Sequence, residues 1–167
     1  MKRLFLMLVA LIGFGLSTNA QLGQREYENN YGNAFSYCPL LNWKFEYTGG
    51  QFSDIKGPAE KGYTTTIRFA FYAPPNYNNF IQDYLINGAN ASSRSAFRTN
   101  SGIVGEKLHI GNMPSGVDNV RLTVVMYVLP TPYINNYFVM WCFVENSSAS
   151  KYLSKFEECA KTLEFKK

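Results

Sequence analysis

The sequence predicts an α+β domain: a single antiparallel sheet that opens with an N-terminal hairpin and is flanked by a middle helix and a C-terminal helix. Three observations predict it. Residues 43–48 alternate aromatic and polar side chains and run into Gly49-Gly50, the period-two pattern and the turn of a hairpin. Two long runs in the last third, VRLTVVMYV from Val120 and YFVMWCFVE from Tyr137, are rich in the β-branched and aromatic residues that fit a pleated surface. The closing stretch sets Tyr152, Leu153, Phe156, Ala160 and Leu163 on one stripe at helical spacing, which is the pattern of a helix laid on a core. Composition agrees with a packed domain. The chain has 13 Phe, 12 Tyr and 2 Trp with 17% charged residues, the reverse of a disordered sequence.

In order along the chain, residues 1–20 read as a cleavable secretory signal. Lys2 and Arg3 precede an uncharged apolar run from Leu4 to Leu16, and Ser17-Thr18-Asn19-Ala20 supplies small residues before the cut. The run falls short of the roughly 20 apolar residues that span a bilayer. No cysteine follows it for a lipid anchor. The expected product is secreted or periplasmic and not membrane-embedded after cleavage. Residues 21–40, polar and Asn-rich through Tyr37, read as a flexible or loosely docked N-terminal arm, and residues 41–167 as one α+β domain. The 147 residues from Gln21 on suffice for a core without covalent staples.

The domain begins with the hairpin. Trp43, Phe45 and Tyr47 alternate with Lys44, Glu46 and Thr48, and Gln51 to Ile55 returns. A loop with Gly57-Pro58 and Gly62 leads to a strand over residues 64–72, with Ile67, Phe69 and Phe71 on one face. Pro74-Pro75 ends it, since proline cannot donate into a ladder. Asn76 or Asn78 then caps the middle helix, whose Phe80, Ile81, Tyr84 and Leu85 fall at helical spacing before Asn87-Gly88. Periodicity leaves open whether a helix resumes over residues 89–97, and the glycines at 102 and 105 mark a loop over residues 99–105. Strands follow at 103–110 and 120–128, broken by Pro130-Thr131-Pro132. The strand at 137–145 is apolar on both faces, which predicts a central position. Asn146-Ser147-Ser148 caps the final helix, whose Lys151, Lys155 and Lys161 face water.

This order of elements resembles the PsbP-like fold, shared by extrinsic photosystem II proteins, a Ran-binding nuclear import factor and bacterial exported proteins. The residues that carry the resemblance are the aromatic hairpin WKFEYTGGQF, the strand pair VRLTVVMYV and YFVMWCFV, and the helical tail FEECAKTLEF. It implies a non-enzymatic accessory or binding role in an assembly or envelope process. It carries over no functional residue, and it does not account for the Asn-rich arm.

Catalytic chemistry finds little support. His109 is the only histidine. It alternates with apolar neighbours as a strand residue does, and base catalysis needs an orienting partner. Cys38, Cys142 and Cys159 fit no zinc spacing. Buried free thiols are favoured over a Cys142–Cys159 or Cys38–Cys142 bridge. The carboxylates are scattered, no calcium loop is present, and the glycines at 102 and 105 lack a phosphate-loop context. No cofactor and no metal are expected. Without Lys2 and Arg3 the balance falls from 16 basic against 12 acidic residues to 14 against 12, which gives nucleic-acid binding no electrostatic basis.

One pattern marks a candidate site. Asparagine recurs with aromatics in turns, which singles out Tyr77, Asn79, Tyr133, Asn135, Asn136 and Tyr137. Flat rings beside amides suit sugars, peptides or protein partners, although turn formation alone also calls for asparagine. The leading expectation is an exported, non-catalytic accessory or binding domain acting through a protein partner or envelope component. The alternative is a glycan-binding module or weak hydrolase that uses these loops.

Overall fold

The computed structural model describes residues 21–30, 33–49, 52–73, 81–82, 92–133 and 136–166. The expected signal peptide lies outside them, as does the expected middle helix apart from Ile81 and Gln82. Among the described residues the fold is mainly β, with two antiparallel sheets where one was expected and a single α-helix.

The large sheet has seven strands: β3 (Lys44–Gly49), β4 (Phe52–Glu60), β5 (Tyr63–Tyr72), β6 (Ser93–Arg98), β7 (Val104–Pro114), β8 (Arg121–Pro130) and β9 (Tyr137–Glu145). Their spatial order is β3-β4-β5-β9-β8-β7-β6. Two meanders of sequential neighbours are thus joined where β9 pairs with β5, in a register that sets Ile67 opposite Cys142 and Phe69 opposite Met140. β9 is the middle strand, as its two apolar faces predict. Corrections to the expected elements are local. β4 continues through the segment read as a loop, taking up Gly57-Pro58 in a bulge between Lys56 and Ala59. Lys61 and Gly62, both at positive φ, then make the tight turn that hairpins favour. The unassigned stretch before Arg98 contains strand β6.

The second sheet is small, with order β1-β2-β10, from β1 (Glu26–Asn30), β2 (Asn33–Tyr37) and β10 (Glu164–Phe165). It replaces the expected flexible or loosely docked arm with strands that enter the core. Phe35 and Tyr37 are fully buried and meet Phe69 and Phe138 at ring centroids of 4.7–5.2 Å. The Cys38 N–H donates to Thr162 Oγ1 at 2.8 Å, and Arg25 donates to the Thr162 carbonyl at 2.9 Å. Polar composition hid this packing because two aromatic residues at alternate positions of one short strand, β2, supply it.

Helix α1 (Ala149–Lys161) follows a 3-10 turn at Asn146–Ser148. Ser148 makes no side-chain capping bond. Asn146 instead accepts from Thr123 Oγ1 at 2.9 Å, which ties the turn to β8. Tyr152, Phe156, Cys159 and Ala160 of α1 are buried with the β2 aromatics against one face of the large sheet. A second cluster, with Leu108, Ile110, Val124, Met126, Val128 and Val139, occupies the opposite face and includes Ile81. No helix among the described residues is long and apolar enough to cross a membrane.

Candidate functional site

The residues singled out in the sequence are distributed unevenly. Tyr77, Asn79 and Asn135 lie outside the described residues. Tyr133 and Asn136 sit together between β8 and β9, against the small sheet. The Tyr133 hydroxyl accepts from the Ala34 N–H at 2.8 Å and lies 2.7 and 2.8 Å from the Ala34 and Lys166 carbonyls. Asn136 donates to the Asn33 side chain at 3.4 Å and accepts from Thr131 Oγ1 at 2.9 Å through its carbonyl. Tyr137 opens β9, opposite Tyr72 and Pro130. Tyr133 and Asn136 fasten one end of the domain, and their polar groups are engaged there. Beside them is a cleft of about 430 Å³ lined by Ser101, Ile103, Pro130, Pro132, Glu164 and Phe165. Its two polar groups are also spent: Ser101 donates to the Leu163 carbonyl at 3.1 Å, and Glu164 pairs with Arg25 at 3.2 Å.

The titratable groups that sequence reading weighed for chemistry, and the buried carboxylate Asp54, are similarly committed. His109 is a half-buried β7 residue with Nδ1 3.1 Å from Ser92 Oγ. The three thiols are free, and burial pushes those of Cys142 and Cys159 up, away from the thiolate a nucleophile requires. Asp54, fully buried, receives Arg68 in a fork at 2.7 and 2.9 Å and Lys56 at 2.9 Å. Burial alone would raise its pKa, but the hydrogen bonds from Arg68 and Lys56 outweigh this and hold it below the usual carboxylate range. No group of three or more His, Cys, Asp or Glu among the described residues is arranged to hold a metal ion.

A surface of different character lies along one edge of the large sheet. β3 is its outermost strand, and every residue from Lys44 to Thr48 is exposed. Phe45 is 39% and Tyr47 63% exposed, and Leu41, in the turn that enters the strand, is 47% exposed. Trp43 anchors the start of this ridge. Its ring meets Tyr152 and Phe156 of α1 edge-on at 6.0 and 6.1 Å. It also lies against Gly57 so closely that a Cβ there would stand 2.5 Å from ring atoms, so the contact requires glycine. A cleft of about 530 Å³ lined by Leu41, Asn42, Trp43, Lys44, Lys56, Gly57 and Pro58 adjoins the ridge. Leu41, Trp43, Phe45 and Tyr47 therefore run along a strand that is outermost in its sheet among the described residues.

The other edge differs. β6 (SRSAFR) turns Phe97 into the core and presents serines and arginines, with Arg94 forked onto Glu106. That is how an edge is kept from pairing. The sequence identified 43–48 as a half-buried hairpin strand. Alternation of aromatic and polar residues reads the same whether the aromatic face meets a core or water, so no local signal separates the two.

No family model matches the chain, and no curated protein is similar to it in sequence. Solved structures do resemble it. A crystal structure from Bacteroides thetaiotaomicron superimposes with a TM-score of 0.59 at 16% identity over 88% of this chain, which spans half the length of that protein. Cyanobacterial PsbP (CyanoP) from Synechocystis gives a TM-score of 0.57 at 9% identity, covering 92% of this chain and 99% of that one. The Ran-binding protein Mog1p of Saccharomyces cerevisiae gives 0.52 at 7% identity, covering 85% and 95%. At these identities the likeness is one of fold.

Proposed function

We propose, for a chain that has the Mog1/PsbP fold, a non-catalytic role in an exported protein: it binds a protein partner through the open edge of β3. The observation that carries this reading is the exposure of Phe45 and Tyr47 along an edge strand. Exposed aromatics along the outermost strand of a sheet are the elements of strand addition, in which the backbone ladder supplies affinity and alternate side chains supply specificity. Aromatic residues are also enriched at the cores of protein interfaces. The commitment of Asp54, Cys142, Cys159 and Tyr133 to packing, described above, supports a binding role over a catalytic one.

Site-specific photo-cross-linking in the cells that make the protein tests the reading. A photoreactive residue at position 47 should give a discrete protein adduct, and one at Ser95 on β6 should not. Combining the probe at 47 with Phe45→Ser should abolish the adduct while leaving the melting temperature unchanged. Equal labelling from both edges, or an adduct indifferent to Phe45→Ser, would sink it.

A further inference from the structure

We infer that the strand received at this edge belongs to a second copy of the chain, two β3 strands pairing antiparallel about a two-fold axis at Phe45. The inference rests on the reading of β3 as the working surface and names its partner. It starts from an electrostatic mismatch inside the domain. The β3–β4 register sets Lys44 opposite Lys56 and Glu46 opposite Asp54, and like charges directly opposite one another destabilise a strand pair. Lys56 and Asp54 resolve their own charges, through each other and through Arg68. Lys44 and Glu46 have no ion-pair partner among the described residues and are exposed. The outer strand thus carries one positive and one negative charge that find no free counter-charge on its inner neighbour.

A strand added on the open side relieves this if it places an acid opposite Lys44 and a base opposite Glu46. β3 itself does so in one antiparallel register. With Phe45 opposite Phe45 of the second copy, Lys44 meets Glu46 and Glu46 meets Lys44, and Trp43 falls opposite Tyr47 on either side of the axis. The neighbouring registers that keep the aromatic side chains of both copies on one face fail. Centring on Lys44 sets lysine against lysine, and centring on Glu46 sets glutamate against glutamate. The favoured register therefore makes two opposite-charge pairs and three aromatic cross-strand pairs, all of kinds that stabilise sheets. It also covers both exposed edges with each other and makes one continuous sheet. A self-complementary patch of this kind is what a two-fold interface requires.

The register makes a charge-exchange test decisive. Glu46→Lys leaves lysines at 44 and 46 on both copies, and Lys44→Glu leaves glutamates. Each variant alone should self-associate at least about tenfold more weakly than the parent chain in sedimentation equilibrium, a loss of ~1.4 kcal/mol. Mixed in equal amounts they should form a heterodimer of parental affinity, and the double variant Lys44→Glu/Glu46→Lys should dimerise like the parent. Melting temperatures recorded alongside show that both singles remain folded. A parent chain that stays monomeric to millimolar concentration while a probe at 47 still captures a different protein overturns the second copy and leaves the edge reading intact. Dimerisation indifferent to both single variants overturns this register. Neither self-association nor an adduct at 47 overturns both proposals.

Discussion

At the scale of single residues, Asp54 shows most clearly how a polar group is held inside this sheet. Its side chain is fully buried on β4, and it accepts from Arg68 on the neighbouring strand and from Lys56 two residues on. A buried carboxylate without these partners would take up a proton; with them it stays ionised below the usual carboxylate range. Removing the charge strands two cations. A fully buried broken pair costs about 3–5 kcal/mol. Arg68 and Lys56 keep 35% and 31% of their side-chain surface in water, so solvent lowers the cost here to about 2–3 kcal/mol. Asp54→Asn should therefore destabilise the domain by that amount at pH 7, measured by urea unfolding. The sign of its pH dependence follows from the direction of the shift. A depressed folded-state pKa contributes stability that is present above the unfolded value of about 3.9 and is lost as pH falls through the lower folded value. The gap between parent and variant should close below about pH 4. A gap unchanged at pH 3 would show that Asp54 acts through packing and not through charge.

At the scale of elements, what could be read from the sequence divides according to where each element finds its reason to form. β5, β8, β9 and α1 were legible because their own side chains state the period: Ile67, Phe69 and Phe71 on one face of β5, and Tyr152, Phe156 and Ala160 on one stripe of α1. β3 was legible as a strand, yet its place at the edge depends on β5 taking the distant β9 as its other neighbour, and the edge surface went unread with it. β1, β2 and β10 were illegible because no segment of two to five residues carries a period worth reading. Of the residues singled out as a candidate site, Tyr133 and Asn136 are engaged with Ala34 and Asn33, which no local pattern could show because it depends on the docked N-terminal strands. A sharp consequence attaches to that docking. Deleting residues through Leu40 removes Phe35 and Tyr37, each worth about 1.5–3 kcal/mol by burial, uncovers Phe69 and Phe138, and leaves β10 without a partner. The summed loss approaches the total stability of a small domain, roughly 5–15 kcal/mol. A chain beginning at Leu41 should show no cooperative thermal transition by circular dichroism. A flexible appendage would leave the melting temperature where it was, and that result would refute the docking.

At the scale of the whole molecule, the question is whether the large sheet, α1 and the small sheet open together. The three cysteines stand at points that can answer it. Cys142 is at the centre of β9, the middle strand, with Val125 and Ile67 as its two cross-strand neighbours. Cys159 lies on the buried side of α1, and Cys38 is half-buried just beyond β2. Burial pushes the Cys142 and Cys159 thiols up, so neither reacts until water reaches it and the thiolate can form. Thiol reagent added to the native protein should therefore modify at most Cys38, and in denaturant it should modify all three. The informative regime lies between. One aromatic core, from Phe35 on β2 through Phe69 and Phe138 to Phe156 on α1, has no layer that can leave without exposing the others. Labelling of Cys142 and Cys159 should accordingly rise with urea along the same curve, with a slope equal to that of global unfolding. If α1 separates from the sheet as an independent unit, Cys159 will label at lower urea and with a shallower slope, while Cys142 stays protected. The aromatic residues of β2 argue for the single curve: they are buried in the same cluster as α1 and the face of the sheet, so the three share one core.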